Sequence, residues 1–130
     1  MTTPFWCLFV LIFLPYVLST VGAVVRIKQF GQYDNKQPRV QIALLKGFGA
    51  RVYAAQQNVW EAMPVFGLAV IVAHLVGADS DKSAMAAVTF IVMRVLHGAA
   101  YLANQGIIRS LAFCGAYGCC IWLFILAASV

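Results

Sequence analysis

The segments Pro4–Val25 and Ser110–Val130 contain no Asp, Glu, Lys or Arg. Each supplies the roughly 20 helical residues needed to cross about 30 Å of hydrocarbon. Between them, Val52–Ala78 is interrupted by Glu61 alone, and Ser83–Ile108 by Arg94 alone. The intervening stretches are polar: Arg26–Arg51, the acidic Asp79-Ser-Asp-Lys82, and the turn-like Asn104-Gln-Gly106. This alternation predicts an all-α integral membrane four-helix bundle, with sequential helices as antiparallel neighbours and residues 1–130 forming a single domain. The chain is 63% hydrophobic and 10% charged. Soluble domains carry about a quarter charged residues, so this chain has too few to cover a surface in water.

The first helix is expected over about Pro4–Lys28, with Pro15 as a candidate kink. Gly31–Pro38 has turn chemistry throughout. The second helix is expected from Val40 to Gly77, with Pro64 tolerated inside a membrane bundle. At that length its first turns would project beyond the bilayer. The third runs over about Ser83–Ala103 and the fourth from Ile107 onward. A cleaved leader is the rival reading of the first segment. However, no base precedes the apolar run, and the run exceeds the roughly 7–15 residues of such a leader. The expectation is therefore a retained span.

The bases cluster in the first connection: Arg26, Lys28, Lys36, Arg39, Lys46 and Arg51, against Asp34 alone. Arg109 follows the third connection, whereas the second pairs Lys82 with two aspartates. The positive-inside rule then predicts a cytoplasmic side for connections one and three, with both termini outside. The net charge of +5 is thereby a topological signal and not a nucleic-acid one. Trp6, Tyr33, Tyr53, Trp60 and Tyr101 read as interfacial anchors or as walls of a cleft. Cys7, Cys114, Cys119 and Cys120 fit no metal-ligand spacing and read as small apolar packing residues. Compact loops without a recognised targeting motif favour a bacterial inner membrane.

The informative residues are those that a membrane helix ordinarily excludes. Arg51, Asn58 and Glu61 follow at offsets of seven and three, on one helical face, and Gln57 lies beside them. Arg94, His97 and Tyr101 follow at offsets of three and four, again on one face, and Arg109-Ser110 opens the last helix. Counting from the cytoplasmic connections puts them all in one half of the bilayer or just beyond it. A charge within a span costs roughly 2.5–3.5 kcal/mol on insertion scales and marks a functional site by default. A Glu61–Arg94 pair that simply holds the bundle together is the alternative. His74, alone near the outer end, reads as an interhelical or interfacial hydrogen-bonding residue. The surplus of guanidinium groups suits an anion with several carboxylates, and the single glutamate suits an ammonium. Glutathione has that inventory; other peptides and phosphates also satisfy it.

The run Arg51-Val-Tyr-Ala-Ala-Gln-Gln-Asn58-Val-Trp-Glu61-Ala-Met-Pro64-Val-Phe66 resembles the helix-two signature of the MAPEG family, the membrane-associated proteins in eicosanoid and glutathione metabolism. Arg94-Val-Leu-His97-Gly-Ala-Ala-Tyr101, followed by Arg109-Ser110, resembles the family's third helix and the start of its fourth. The resemblance implies a homotrimer with glutathione bound between subunits near the cytoplasmic side. It also implies transferase, peroxidase or isomerase chemistry on lipophilic electrophiles and lipid hydroperoxides. By the same resemblance, Arg26, Arg51, Asn58, Glu61, Arg94, His97 and Tyr101 are expected to contact glutathione or support its contacts. Arg109, Ser110 and Tyr101 are the candidates for activating the thiol. The chain has Ala54 and Gln57 where some relatives carry further arginines. The family also contains a member that binds lipophilic ligands without catalysis, so a non-catalytic binding protein is the second reading. A small exporter of lipophilic cations is disfavoured, because several arginines would repel its cargo.

Overall fold

The computed structural model describes residues 1–130 and is entirely helical. The helices are α1 (Thr3–Phe30), α2 (Pro38–Ala43), α3 (Phe48–Leu75), α4 (Ser80–Leu102) and α5 (Gly106–Ala128). α1, α3, α4 and α5 are each long and apolar enough to cross a membrane. These are the four expected spans, and their pairing follows from the short connections. α1 packs on α3 and α4, and α5 packs on α3 and α4. The spans thus form a diamond with α3 and α4 on the short diagonal and α1 and α5 at the far corners.

Small side chains allow this close approach, as they do in membrane bundles generally, where dispersion rather than hydrophobic exclusion holds helices together. Ala55, Ala69, Ala73, Ala86, Ala87 and Ala116 are all buried in the central cluster. Across the α3–α4 diagonal, the Phe66 and Phe90 rings stack with centroids 3.9 Å apart and planes 4° from parallel. α1 runs through Pro15 without ending. The carbonyl of Pro15 accepts a hydrogen bond from Nε2 of Gln56 on α3 at 3.2 Å, which gives a half-buried amide in the spans a partner.

One expected helix is divided. The stretch from Val40 to Gly77 is not continuous, because the chain leaves α2 after Ala43 and restarts at Phe48. The physical cause is Gly47, whose φ of 56° and ψ of −123° lie in a region that side chains with a Cβ strongly disfavour. α2 therefore turns aside instead of extending α3 beyond the bilayer. The Gly31–Gln37 connection is ordered by side chains. Gln41 donates from Nε2 to the carbonyl of Gln32 at 2.9 Å and accepts from the amide of Asp34 at 3.2 Å. Asp34 in turn accepts from the amides of Lys36 and Gln37.

At the opposite end, Asp79 caps α4 by accepting from the amides of Asp81 at 3.1 Å and Lys82 at 2.9 Å. The Lys82 amide and side chain hold the Asp79 carboxyl below its ordinary 3.8. A carboxylate with a depressed folded-state pKa stabilises the fold at neutral pH, and that contribution is lost as acid protonates it. Asp79→Ala is expected to lower the melting temperature at pH 7, by a margin that narrows as the pH falls progressively below 3.8. A Gly47→Val substitution is expected to cost about 1–3 kcal/mol through backbone strain. Gly106→Ala, where an added Cβ meets open space, serves as its control, and thermal melting in detergent measures both.

Candidate functional site

The α4–α5 turn is short, so the last turn of α4 and the first turn of α5 lie side by side. Asn104 makes the reversal with a φ of 59°, a conformation that asparagine tolerates better than most residues. Arg109 on α5 consequently lies over the Tyr101 ring of α4, 4.7 Å from its centroid. Arg51, in the first turn of α3, reaches the same end. Its Nε donates to the carbonyl of Leu102 at 3.3 Å, one of the α4 carbonyls that lack an intrahelical partner. Both the free lone pair and the negative end of the helix dipole favour a guanidinium there. Ser110 is exposed, and its hydroxyl donates to the carbonyl of Gly106 at 3.0 Å.

Further into the bundle, Arg94 is 1% exposed. Its Nη2 donates to Oδ1 of Asn58 and lies 3.4 Å from Nδ1 of His97, while its Nε has no partner. Asn58 points its amide nitrogen at Oε2 of Glu61, 3.5 Å away. The alternative of a direct Glu61–Arg94 pair is not formed within the chain, because Asn58 stands between them. The only ion pair in the chain is Lys82–Asp79. His97 is buried, and its ring meets Tyr101 edge to face at 5.6 Å. It thereby connects the Arg94 cluster to the Arg109 cluster.

Glu61 sits at the midpoint of the 28-residue α3, about 15 Å along the axis from Arg51. It is exposed on the outside of the protomer. Trp60 beside it is equally deep and packs against Tyr16 on α1 with ring centroids 5.7 Å apart. Asn58, Glu61 and Arg94 border a cleft of about 230 Å³ whose other walls include Phe90, Phe113, Tyr117 and Cys120.

The α5 residues of this cleft are absent from the sequence-derived site. Phe113, Tyr117 and Cys120 follow Arg109 at offsets of four, four and three, one helical face. That spacing was the only available signal, and an uncharged span hides it. Cys120, read as a packing residue, does pack, at 2% exposure, but it also forms part of the cleft wall.

Arg26 is 5% exposed, and its guanidinium lies 4.1 Å from the centroid of the Tyr33 ring. Its Nη1 has no hydrogen-bond partner, and it makes no ion pair within the chain. The chain thus gathers Arg51, Tyr101 and Arg109 at one level and Asn58, Glu61, Arg94 and His97 at another, and Arg26 makes no hydrogen bond to either group. Asn58→Leu removes the one side-chain oxygen that Arg94 has inside the bundle. Leaving a charged donor unpaired costs about 1–3 kcal/mol or more. Melting in detergent is expected to fall accordingly, whereas Gln57→Leu, on a half-buried side chain without a hydrogen bond, is expected to change it little.

No curated protein matches the chain. The MAPEG family model matches residues 3–129, a range that contains both spans of the polar stripe, the Arg109 turn and the cleft. The order Arg51, Asn58, Glu61, then Arg94, His97, Tyr101, then Arg109 is also the order in which the helices deliver these residues to one side of the bundle. The chain belongs to the MAPEG family.

Proposed function

We propose that this protein is a glutathione-dependent transferase or peroxidase acting on lipophilic electrophiles or lipid hydroperoxides, and that it works as a homotrimer with glutathione bound between protomers. The observation that carries this reading is the exposed Glu61 at mid-span, held by Asn58 beside the buried Arg94. A carboxylate on the outside of a single bundle, at the centre of a membrane helix, requires a partner to cover it. A neighbouring protomer and the ammonium of a bound peptide meet that need together. The unpaired Nη1 of Arg26 and Nε of Arg94 are donors available for carboxylates, a task that suits the planar guanidinium.

In the proposed reaction Arg109 favours the glutathione thiolate over the thiol. A free thiol titrates at about 8.5, and an adjacent permanent cation lowers that value. Arg109 ranks above Ser110 because the Ser110 hydroxyl proton is already given to Gly106. Tyr101, under the guanidinium, fixes where that charge sits. The thiolate sulfur attacks the electrophilic carbon, a sulfur–carbon bond forms, and the leaving group departs with its electron pair. With a hydroperoxide, the sulfur attacks the terminal oxygen, and a sulfur–oxygen bond forms as the O–O bond breaks. The alkoxide leaves and takes up a proton to become the alcohol. A second glutathione then converts the sulfenic acid to the disulfide and water. The apolar and aromatic walls formed by Phe90, Phe113 and Tyr117 suit an electrophile that arrives from the bilayer. Proximity and charge stabilisation then supply the rate.

Arg109→Gln is expected to lower turnover in a glutathione conjugation assay by at least about tenfold while weakening glutathione binding much less. Such a split marks an interaction that is stronger in the reacting state. Ultraviolet titration of the bound thiolate is expected to show a higher thiol pKa in the variant. An unchanged pKa would pass activation to Ser110 or Tyr101 instead. Detergent-corrected mass measurement is expected to give three copies, and a monomer that still binds glutathione would refute the site between protomers. Glutathione binding without turnover of any electrophile would identify a non-catalytic binding protein.

A further inference from the structure

A second cavity, of about 250 Å³, lies at the other end of the bundle, where α1 begins, α3 ends, α4 begins and α5 ends. Val70 and Leu123 contribute apolar wall, and Thr2, His74, Ser80 and Ser83 are its polar members. The backbone around it is already satisfied. Gly77, at a φ of 75°, closes α3 so that the amide of Ala78 reaches the carbonyl of Ala73 at 2.9 Å, a left-handed helix cap. The exposed amides that open α4 are held by Asp79.

Ser83 is the exception. It is 6% exposed, and its Oγ has no hydrogen-bond partner. The His74 ring packs edge to face on Phe5, with centroids 4.9 Å apart, and makes no hydrogen bond. A buried hydroxyl without a partner is costly, so the natural partner comes from whatever occupies the cavity. No charged side chain lines the cavity, and Lys82 and Asp79, beside the lining residues Ser83, Ala78 and Ser80, are paired with each other at 3.3 Å. The wall itself therefore offers an ionic head no charged side chain. The volume falls below the roughly 300–1,000 Å³ typical of pockets for drug-sized ligands, which excludes a two-chain lipid.

We propose that this cavity binds the oxygen-bearing head of a neutral, single-chain amphiphile, with Ser83 and His74 hydrogen-bonding the head and Val70 and Leu123 contacting the start of its chain. The site is separate from the glutathione cleft and does not depend on the proposed reaction. Its ligand comes either from monoacyl membrane lipid or from a diffusible alcohol or ester, and both present the same chemistry.

The test is photolabelling of the intact protein in lipid nanodiscs with a decanol that carries a diazirine beside its hydroxyl, with the adducts mapped by mass spectrometry. Adducts are expected to concentrate on Val70–Ser83. Unlabelled decanol is expected to compete and decanoate to fail. Ser83→Ala is expected to weaken labelling affinity roughly threefold or more, the effect of one lost hydrogen bond. Ala78→Leu, which narrows the cavity without touching Ser83, is expected to suppress labelling, and an unchanged melting temperature certifies either variant as folded. Competition by a monoacylglycerol of equal chain length that exceeds decanol's supports a lipid source. Competition by decanol alone supports a diffusible one. Adducts spread over all lipid-facing surfaces, equal competition by decanoate, or undiminished labelling of folded Ser83→Ala would overturn the proposal and leave water as the occupant.

Discussion

A guanidinium inside an apolar bundle cannot be left to itself. Arg94 is the largest fully buried side chain in the protein, and no carboxylate touches it within the protomer. Its partners are instead the amide oxygen of Asn58 and the imidazole of His97. Breaking a buried charge from its partners is more costly than the pair is favourable. Asn58 and His97 are thus tied to Arg94 by energetics as well as by helical spacing. Glu61 is tied to the group through Asn58, and Tyr101 through the His97 ring. One buried charge therefore organises the polar residues of α3 and α4.

The diamond arrangement explains why this network borders a cleft. α3 and α4 lie on the short diagonal and carry the polar stripe, whereas α5 meets both without closing over them. The cleft between these three helices is half open to the outside of the protomer, with Glu61 at its edge. α1, at the opposite corner, carries Arg26 against the Tyr33 ring. A basic residue so buried, with no acid beside it, is consistent with a site assembled from more than one chain, as proposed above.

The polar residues were legible because a membrane span tolerates so few of them. Seven residues named from spacing alone, Arg51, Asn58, Glu61, Arg94, His97, Tyr101 and Arg109, are brought to one side of the bundle. The apolar half of the cleft was not legible. Phe113, Tyr117 and Cys120 have the same composition as their lipid-facing neighbours, and hydrophobicity does not distinguish a wall from a lipid contact. Whether Glu61 and Arg94 pair directly was left open by the sequence for a related reason. Helical offsets report which residues share a face, but they do not report whether a third side chain stands between two faces. The break before α3 escaped notice because a single glycine looks the same in a helix as in a reversal.

The sequence by itself determined the solvent, the number of spans, their antiparallel order and the membership of the polar stripe. Those properties follow from local composition and from the fixed rise and period of a helix, which need no knowledge of neighbours. The tertiary structure decided which helices form the diagonal, that Asn58 mediates between Arg94 and Glu61, that Arg26 lies against Tyr33, and that a second cavity with an unpartnered Ser83 closes the far end. Each of these depends on how helices rotate and approach one another. That is set by packing of small side chains across interfaces between residues distant in sequence, and no local pattern encodes it.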